Sequence, residues 1–254
     1  MDIIEALASK NRGFRLSELA EQLGLNESTA HHLLATLKER GFVRQDPKTR
    51  AYHLGFRLAS LINGHLAESD IYTTGIDAIR ALRDASGETT YLTLLDGMRT
   101  HTLIELLGNR AIQARRPSIS GDAQFHCTAS GKTFLSWMAP GDIATILPTL
   151  HLERFTHNTI VELDALTAEL TAIRRQGYAL DREENLVGIA CVAAPIFDRE
   201  GACIATASVA HPVNSPAAEE YIGLVVAAAN EISANLGHML IPRTESEPSS
   251  RSIT

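Results

Sequence analysis

The most restrictive stretch of this 254-residue chain runs from Ser17 to Gly41, SELAEQLGLNESTAHHLLATLKERG. Two apolar patterns of helical period stand there on either side of a glycine. In the first, Leu19, Ala20 and Leu23 share a face, and Ser17 stands where a hydroxyl can accept from an orphan N–H at a helix start. Gly24 can take the left-handed conformation that ends a helix, and Leu25 turns back toward the core. Asn26 is placed to cap a second helix, in which Ala30, Leu33, Leu34 and Leu37 fall on one face. Two short helices joined by a glycine-containing turn form a helix-turn-helix. The second helix of that motif enters the major groove by its N-terminal end. The candidate base-reading residues are therefore Ser28, Thr29 and His32, with His31 on the flank and Thr36 one turn on. A plain surface helix with small polar residues competes with this reading while the helix pair stands alone.

The next residues separate the two readings. FVRQD-PKTR-AYHLG has the pattern of two strands around a turn at Asp46-Pro47-Lys48, with Phe42, Val43, Tyr52 and Leu54 supplying apolar faces. A hairpin directly behind a recognition helix is a wing. Arg44, Lys48 and Arg50 would decorate it, and Lys10, Arg12 and Arg15 would sit near the first turn. Such cations neutralise phosphates and position a protein without reading bases. The net charge of −7 is unevenly spread. Residues 1–66 hold nine Lys/Arg against seven Asp/Glu, a surplus of two, and the rest hold fourteen against twenty-three, a deficit of nine. A nucleic-acid-facing end on an acidic body accounts for that asymmetry.

Ile3, Ile4 and Leu7 give residues 3–8 a helical face of their own. Beyond the wing, GFRLASLINGHLAESDIY keeps a helical pattern through Phe56, Leu58, Leu61, Ile62 and Leu66, which predicts a linker helix over 56–69 between a head (1–55) and a body (70–240). In the body, 70–85 reads as a helix. YLTLLDG and THTLIELL read as strands joined at Asp96-Gly97, and HCTASGKTFLSWM as a loop feeding a helix. An amphipathic helix over 162–176 ends at Gly177, and the strands IACVAAPIF and ACIATASVA flank the turn DREG. Ser215 and Pro216 form an N-cap and N1 pair for a final helix through Leu236. The class is α+β: an antiparallel sheet flanked by helices. Residues 241–254 are polar and expected to be disordered.

Several classes of function are disfavoured. No run of about eighteen apolar residues occurs, so no membrane-spanning helix is expected. MDIIEALASK lacks the layout of a secretory signal, and the expected compartment is the cytoplasm. Cys127, Cys191 and Cys203 make no CxxC pair, and an odd number completes no disulfide framework. His31-His32 are adjacent rather than one helical turn apart, so no metal site is expected. The string SGKT suggests a phosphate loop, but the required first glycine is replaced by His126. Neither a cofactor nor a catalytic residue is assigned. The alternative kept open is a Cys-dependent hydrolase using Cys191 or Cys127 with His126.

Three separated stretches, LSELAEQLGLNESTAHHLLATLKERGFVRQD, FHCTASGKTFL and GYALDREENLVGIACVAAPIFDREGACIATASVAHP, strongly resemble the IclR family of bacterial transcriptional regulators. The resemblance covers almost the whole chain in order. It implies a winged helix-turn-helix, a linker helix and a GAF-like domain that binds a small organic acid. It also implies a homodimer or homotetramer on palindromic or repeated half-sites of double-stranded operator DNA, acting on catabolic operons; repression is the expected sense. The family's ligand-meeting backbone positions fall on Ala129 and Ser130, its pocket aspartate on Asp181, and an apolar residue and cysteine on Ile189 and Cys191. A Ser-x-Ser on the last strand is matched by Ser208 and Ala210, where the second hydroxyl is lost. Asp181 would accept from a ligand hydroxyl or hold its loop, and Cys191 would supply a small polarizable wall. The chain also departs at its start: Met1 lies almost within the first helix, where family members usually carry more residues.

Overall fold

A computed structural model of the chain describes residues 2–10, 12–61, 70–110 and 124–239. The chain divides into two compact units, Met1–Ser69 and Asp70–Thr254. The first contains α1 (Asp2–Ala8), α2 (Leu16–Gln22), α3 (Glu27–Glu39) and the antiparallel hairpin β1 (Val43–Gln45) and β2 (Tyr52–Leu54). Ile3, Leu7, Phe14, Leu19, Leu34, Val43 and Tyr52 close one core, with Ile4 and Leu37 at its margin. Gly24 has φ +63°, and Leu25 N–H donates back to Ala20 O at 2.9 Å, so the chain reverses in four residues. Asn26 Oδ1 accepts from Thr29 N–H at 2.8 Å, the expected cap.

Two expectations in this unit are corrected. Ser17 is not an N-cap, because α2 begins one residue earlier and its first turn closes with Arg15 N–H donating to Glu18 Oε2 at 3.3 Å. Leu33 is 41% exposed, because so small a core buries only the narrow stripe of Ala30 and Leu34. Phe14 also pairs with Tyr52 through both backbone bonds, adding a third edge to the hairpin. Residues 56–61 are helical. The expected continuation through Ile62 and Leu66 to residue 69 lies outside the described residues, as does the tail, 241–254.

The second unit is built on one antiparallel sheet of order β4-β3-β7-β6-β5. Its strands are β3 (Thr89–Asp96), β4 (Arg99–Leu106), β5 (Ala179–Arg182), β6 (Ile189–Phe197) and β7 (Cys203–Pro212). Strand β5 is absent from the sequence reading, because four residues are too few to display a period of two. One sheet face, through Leu92, Val192, Ala194, Ala207 and Val209, packs with α4 (Asp70–Ser86) and α8 (Ala218–Asn235). The other, through Tyr91, Ala179, Cys191, Ala193 and Ala210, packs with α5 (Ala129–Trp137) and α7 (Leu163–Gln176). A short helix α6 (Pro140–Ile146) joins the last two. Helix α8 starts at Ala218 with Ala217 as N-cap, which corrects the Ser215/Pro216 expectation; the Ser215 hydroxyl instead meets Tyr221 Oη at 3.1 Å.

Candidate functional site

Ser28, Thr29, His31, His32 and Thr36 are all exposed on α3. The Asn26 cap holds the first turn, so the short side chains at its start stand on fixed backbone. Thr36 donates its hydroxyl to His32 O at 3.2 Å and keeps its acceptor capacity outward. Between α3 and the hairpin lies a cleft of ≈ 690 Å³ lined by Arg15, His31, Lys38, Lys48 and Arg50, with Glu27 the acidic exception. The fold thus gathers four of the anticipated residues, Arg15, His31, Lys48 and Arg50, with one further cation, Lys38. Lys38 escaped the sequence reading because a lysine in a helix's last turn already has an ordinary reason to be there. Arg44 stands apart, its guanidinium 5.7 Å from the exposed Phe56 ring. The wing's turn is held by Asp46 Oδ1, which accepts from Lys48 and Thr49 N–H at 2.8 Å each; these bonds hold its carboxyl below the usual carboxylate range.

In the second unit the anticipated residues converge on one face. Cross-strand pairing sets Asp181, Cys191 and Ala210 in one row, and Ala193, Ser208 and Tyr91 in the next. Ile189 lies two residues from Cys191 on the same face. Helix α5 packs over this face and brings Ala129 and Ser130 to it at its N-terminus. Thr128 caps α5, its Oγ1 accepting from Gly131 N–H at 3.1 Å. The N–H groups of Ala129 and Ser130 have no intrahelical partner and carry the positive end of the helix dipole. Gly131 lets the turn before α5 fold back against the helix's first residues: a Cβ there would lie 2.6 Å from Phe125 Cα. The hydroxyls of Ser130 and Ser208 are both buried and find no hydrogen-bond partner among the described residues. Asp181 Oδ1 accepts from Glu184 N–H at 2.8 Å.

The sequence reading passed over the strongest electrostatic feature of this region. Lys132, from the SGKT string, is fully buried. Its ammonium lies 2.6 and 2.7 Å from the Glu184 carboxylate oxygens and 3.3 Å from Glu169 Oε1. Burial raises the Glu184 carboxyl and Lys132 opposes that shift. A lysine committed to two carboxylates offers nothing to a nucleotide phosphate. The available signal was a lone cation among small and apolar neighbours, which calls for a distant acidic partner that spacing cannot name. His126, the suggested base, has Nε2 2.8 Å from Glu153 O, and burial lowers its pKa. A cleft of ≈ 470 Å³ runs along β5, β6 and the start of α8 and is lined in part by Asp181 and Cys191, but most of its apolar wall (Leu180, Val192, Ile222) belongs to the opposite sheet face.

A helix-turn-helix and wing in one unit, together with an α+β second unit that buries unpartnered hydroxyls on one sheet face, define the class of ligand-responsive DNA-binding regulators. Two family models match the chain. The IclR helix-turn-helix domain matches residues 1–47, and the domain described as "Bacterial transcriptional regulator IclR C-terminal" matches residues 64–234. The regulator BhcR of Paracoccus denitrificans is 33% identical over 236 residues, covering 92% of this chain and 84% of that protein. The transcriptional repressor IclR of Escherichia coli is 30% identical over 244 residues, covering 94% and 89%. The crystal structure of the Thermotoga maritima IclR superposes with a TM-score of 0.77 at 30% identity, covering 93% of this chain and 96% of that one. The chain belongs to the IclR family of bacterial transcriptional regulators. Among its described residues no helix is long and apolar enough to cross a membrane.

Proposed function

We propose that the chain is a repressor of a catabolic operon, acting in the cytoplasm as a homodimer or homotetramer and released or reset by a small organic acid. Residues 1–55 form the DNA-binding head, 56–69 the link and 70–240 the sensing body. Ser28, Thr29, His31, His32 and Thr36 meet base edges and adjoining backbone. Arg44, Lys48 and Arg50, with Arg15 and Lys38, meet phosphates. The acid's carboxylate lies at the N–H groups of Ala129 and Ser130, against Ser208, Cys191, Ala210 and Ile189, while Asp181 holds the loop beside it. The single observation that carries the sensing role is the pair of buried, unpartnered hydroxyls on Ser130 and Ser208. Burying such groups without a partner costs about 1–3 kcal/mol each, a cost that a ligand's oxygen atoms offset.

The protein exerts no turnover in this reading. The hydrolase alternative needs His126 to activate a cysteine, but the Cys127 thiol is directed at Gln124 O (3.8 Å) and Asn185 Oδ1 (4.0 Å) instead. Regulation is a two-state shift: effector favours one spacing of paired heads, and fixed half-sites accept only one spacing. The test is a gel-shift assay of the purified chain on its own promoter, with and without small organic acids. A complex should form, weaken steeply with salt, and weaken in the Ser28→Ala/His32→Ala variant. Unchanged affinity in that variant would remove α3 as the reading helix. A folded Ser208→Leu variant should lose the acid response, and a retained response would move the pocket elsewhere.

A further inference from the structure

The α5-side face of the sheet continues one row beyond the positions shared with the family. Thr206 precedes Ser208 by two residues on β7, so both side chains leave the sheet on the same face. Thr93 on β3 is its direct cross-strand partner. Thr206 is 0% exposed and Thr93 4%, and neither hydroxyl has a hydrogen-bond partner among the described residues. Thr206 pairs on its other side with Pro195, whose side chain has no polar group, and Thr93 with Thr102, whose exposed side chain is not hydrogen-bonded to it. A threonine in a strand commonly finds a cross-strand hydroxyl or a backbone group. Here two face each other across about 5 Å of sheet and neither is satisfied.

We infer that Thr93 and Thr206 form a second polar subsite of the effector pocket, taking a hydroxyl or carbonyl oxygen at the end of the effector remote from its carboxylate. The inference rests on the effector reading above and narrows it. Hydroxyls both donate and accept, so the subsite suits an alcohol or a ketone. It does not suit a second carboxylate, because the nearest buried cation on α5, Lys132, is already paired with Glu184 and Glu169. Ser208 and Thr206 are separated by two residues of strand, about 7 Å. At about 3.5 Å per three bonds of extended chain, that span is about six bonds. The effector class is therefore a hydroxylated or oxo monocarboxylate of sugar-acid length. The hydroxyl missing at Ala210 is compensated further along the same strand rather than at the same position.

Calorimetry on the full chain with acids matched in carbon number tests this: gluconate against hexanoate, threonate against butyrate, and adipate as the dicarboxylate. The wild type should prefer a hydroxylated member over its alkyl counterpart and over adipate by about tenfold, the value of one well-placed hydrogen bond. Thr206→Val and Thr93→Val keep shape and remove the hydroxyl. Each should erase that preference, leave alkyl acids bound as before, and leave the melting temperature of the free protein unchanged or higher. Val variants that melt several degrees lower and weaken every acid alike would show that the hydroxyls serve the fold, and would overturn the subsite. So would an undiminished preference in both variants. A wild type that binds none of the acids, with Ser208→Leu equally silent, removes the effector reading itself and the subsite with it.

Discussion

Lys132 shows what a single residue does for this fold. Its ammonium ties α5 to Glu184, in the loop after β5, and to Glu169 on α7, so three elements around the candidate site share one charge cluster. Such a cluster contributes little net stability compared with an apolar replacement, but removing one partner strands the others. Lys132→Met should therefore cost about 3–5 kcal/mol in chemical denaturation at neutral pH, and Lys132→Met/Glu184→Leu should recover most of that loss. The single variant should be pH-dependent in a defined sense. Glu184 is raised above its ordinary 4.5 by burial, and losing the ammonium raises it further. A carboxyl with a raised folded pKa binds its proton more tightly in the folded chain. The variant's deficit should thus shrink as pH falls toward 4.5 and be fully expressed above the folded pKa. His126 works in the opposite sense. Burial holds its pKa below 6.5 in the folded chain, so below pH 6.5 the unfolded chain takes up a proton that the folded chain refuses. Wild-type stability should fall through this range, and His126→Gln, which can still donate to Glu153 O, should flatten the pH profile of denaturation.

Among the elements, α3 depends on its cap. Asn26→Ala removes the acceptor for Thr29 N–H and should cost about 1 kcal/mol of stability in the first unit, with Asn26→Asp close to wild type. Because the frayed turn carries Ser28 and Thr29, operator affinity in the gel shift should fall in parallel. This element was legible in the sequence because its signals are local: a capping Asn, a left-handed Gly24 and apolar residues at helical spacing. The hairpins at Asp96-Gly97 and Asp198–Gly201 were legible for the same reason, as each turn carries its own chemistry. Legibility failed where distant residues decide. Leu33 has the right spacing for a core position, yet the core it would enter ends at Leu34 and Leu37. Ser215-Pro216 has the right chemistry for a helix start, yet Tyr221 engages the serine hydroxyl and the helix begins later. The pocket positions came from likeness to a family, whereas the Lys132 cluster and the Thr93–Thr206 pair came only from topology. Cross-strand register and an ion pair between residues as far apart in sequence as Lys132 and Glu184 leave no periodic trace.

At the scale of the whole molecule, two binding events in separate units must be linked by free energy if the chain is a regulator. Linkage is reciprocal: an acid that weakens operator binding by some factor is itself bound more weakly, by that same factor, when the operator is present. Titrating the acid into free protein and into the protein–operator complex should give affinities whose ratio equals the ratio of operator affinities with and without acid. Unequal ratios would mean that a third equilibrium, such as a change in oligomeric state, intervenes. The electrostatic share of operator binding is separable from this coupling. Removing one cation that neutralises a phosphate should lower the slope of log affinity against log salt by about 0.9, so Lys48→Ala and Arg50→Ala should each flatten it by about one. Both residues belong to the first unit, so the coupling factor itself should stay the same. A wing variant that changed both the slope and the coupling would show that the wing does more than hold phosphates, and that the two-state shift reaches into the hairpin.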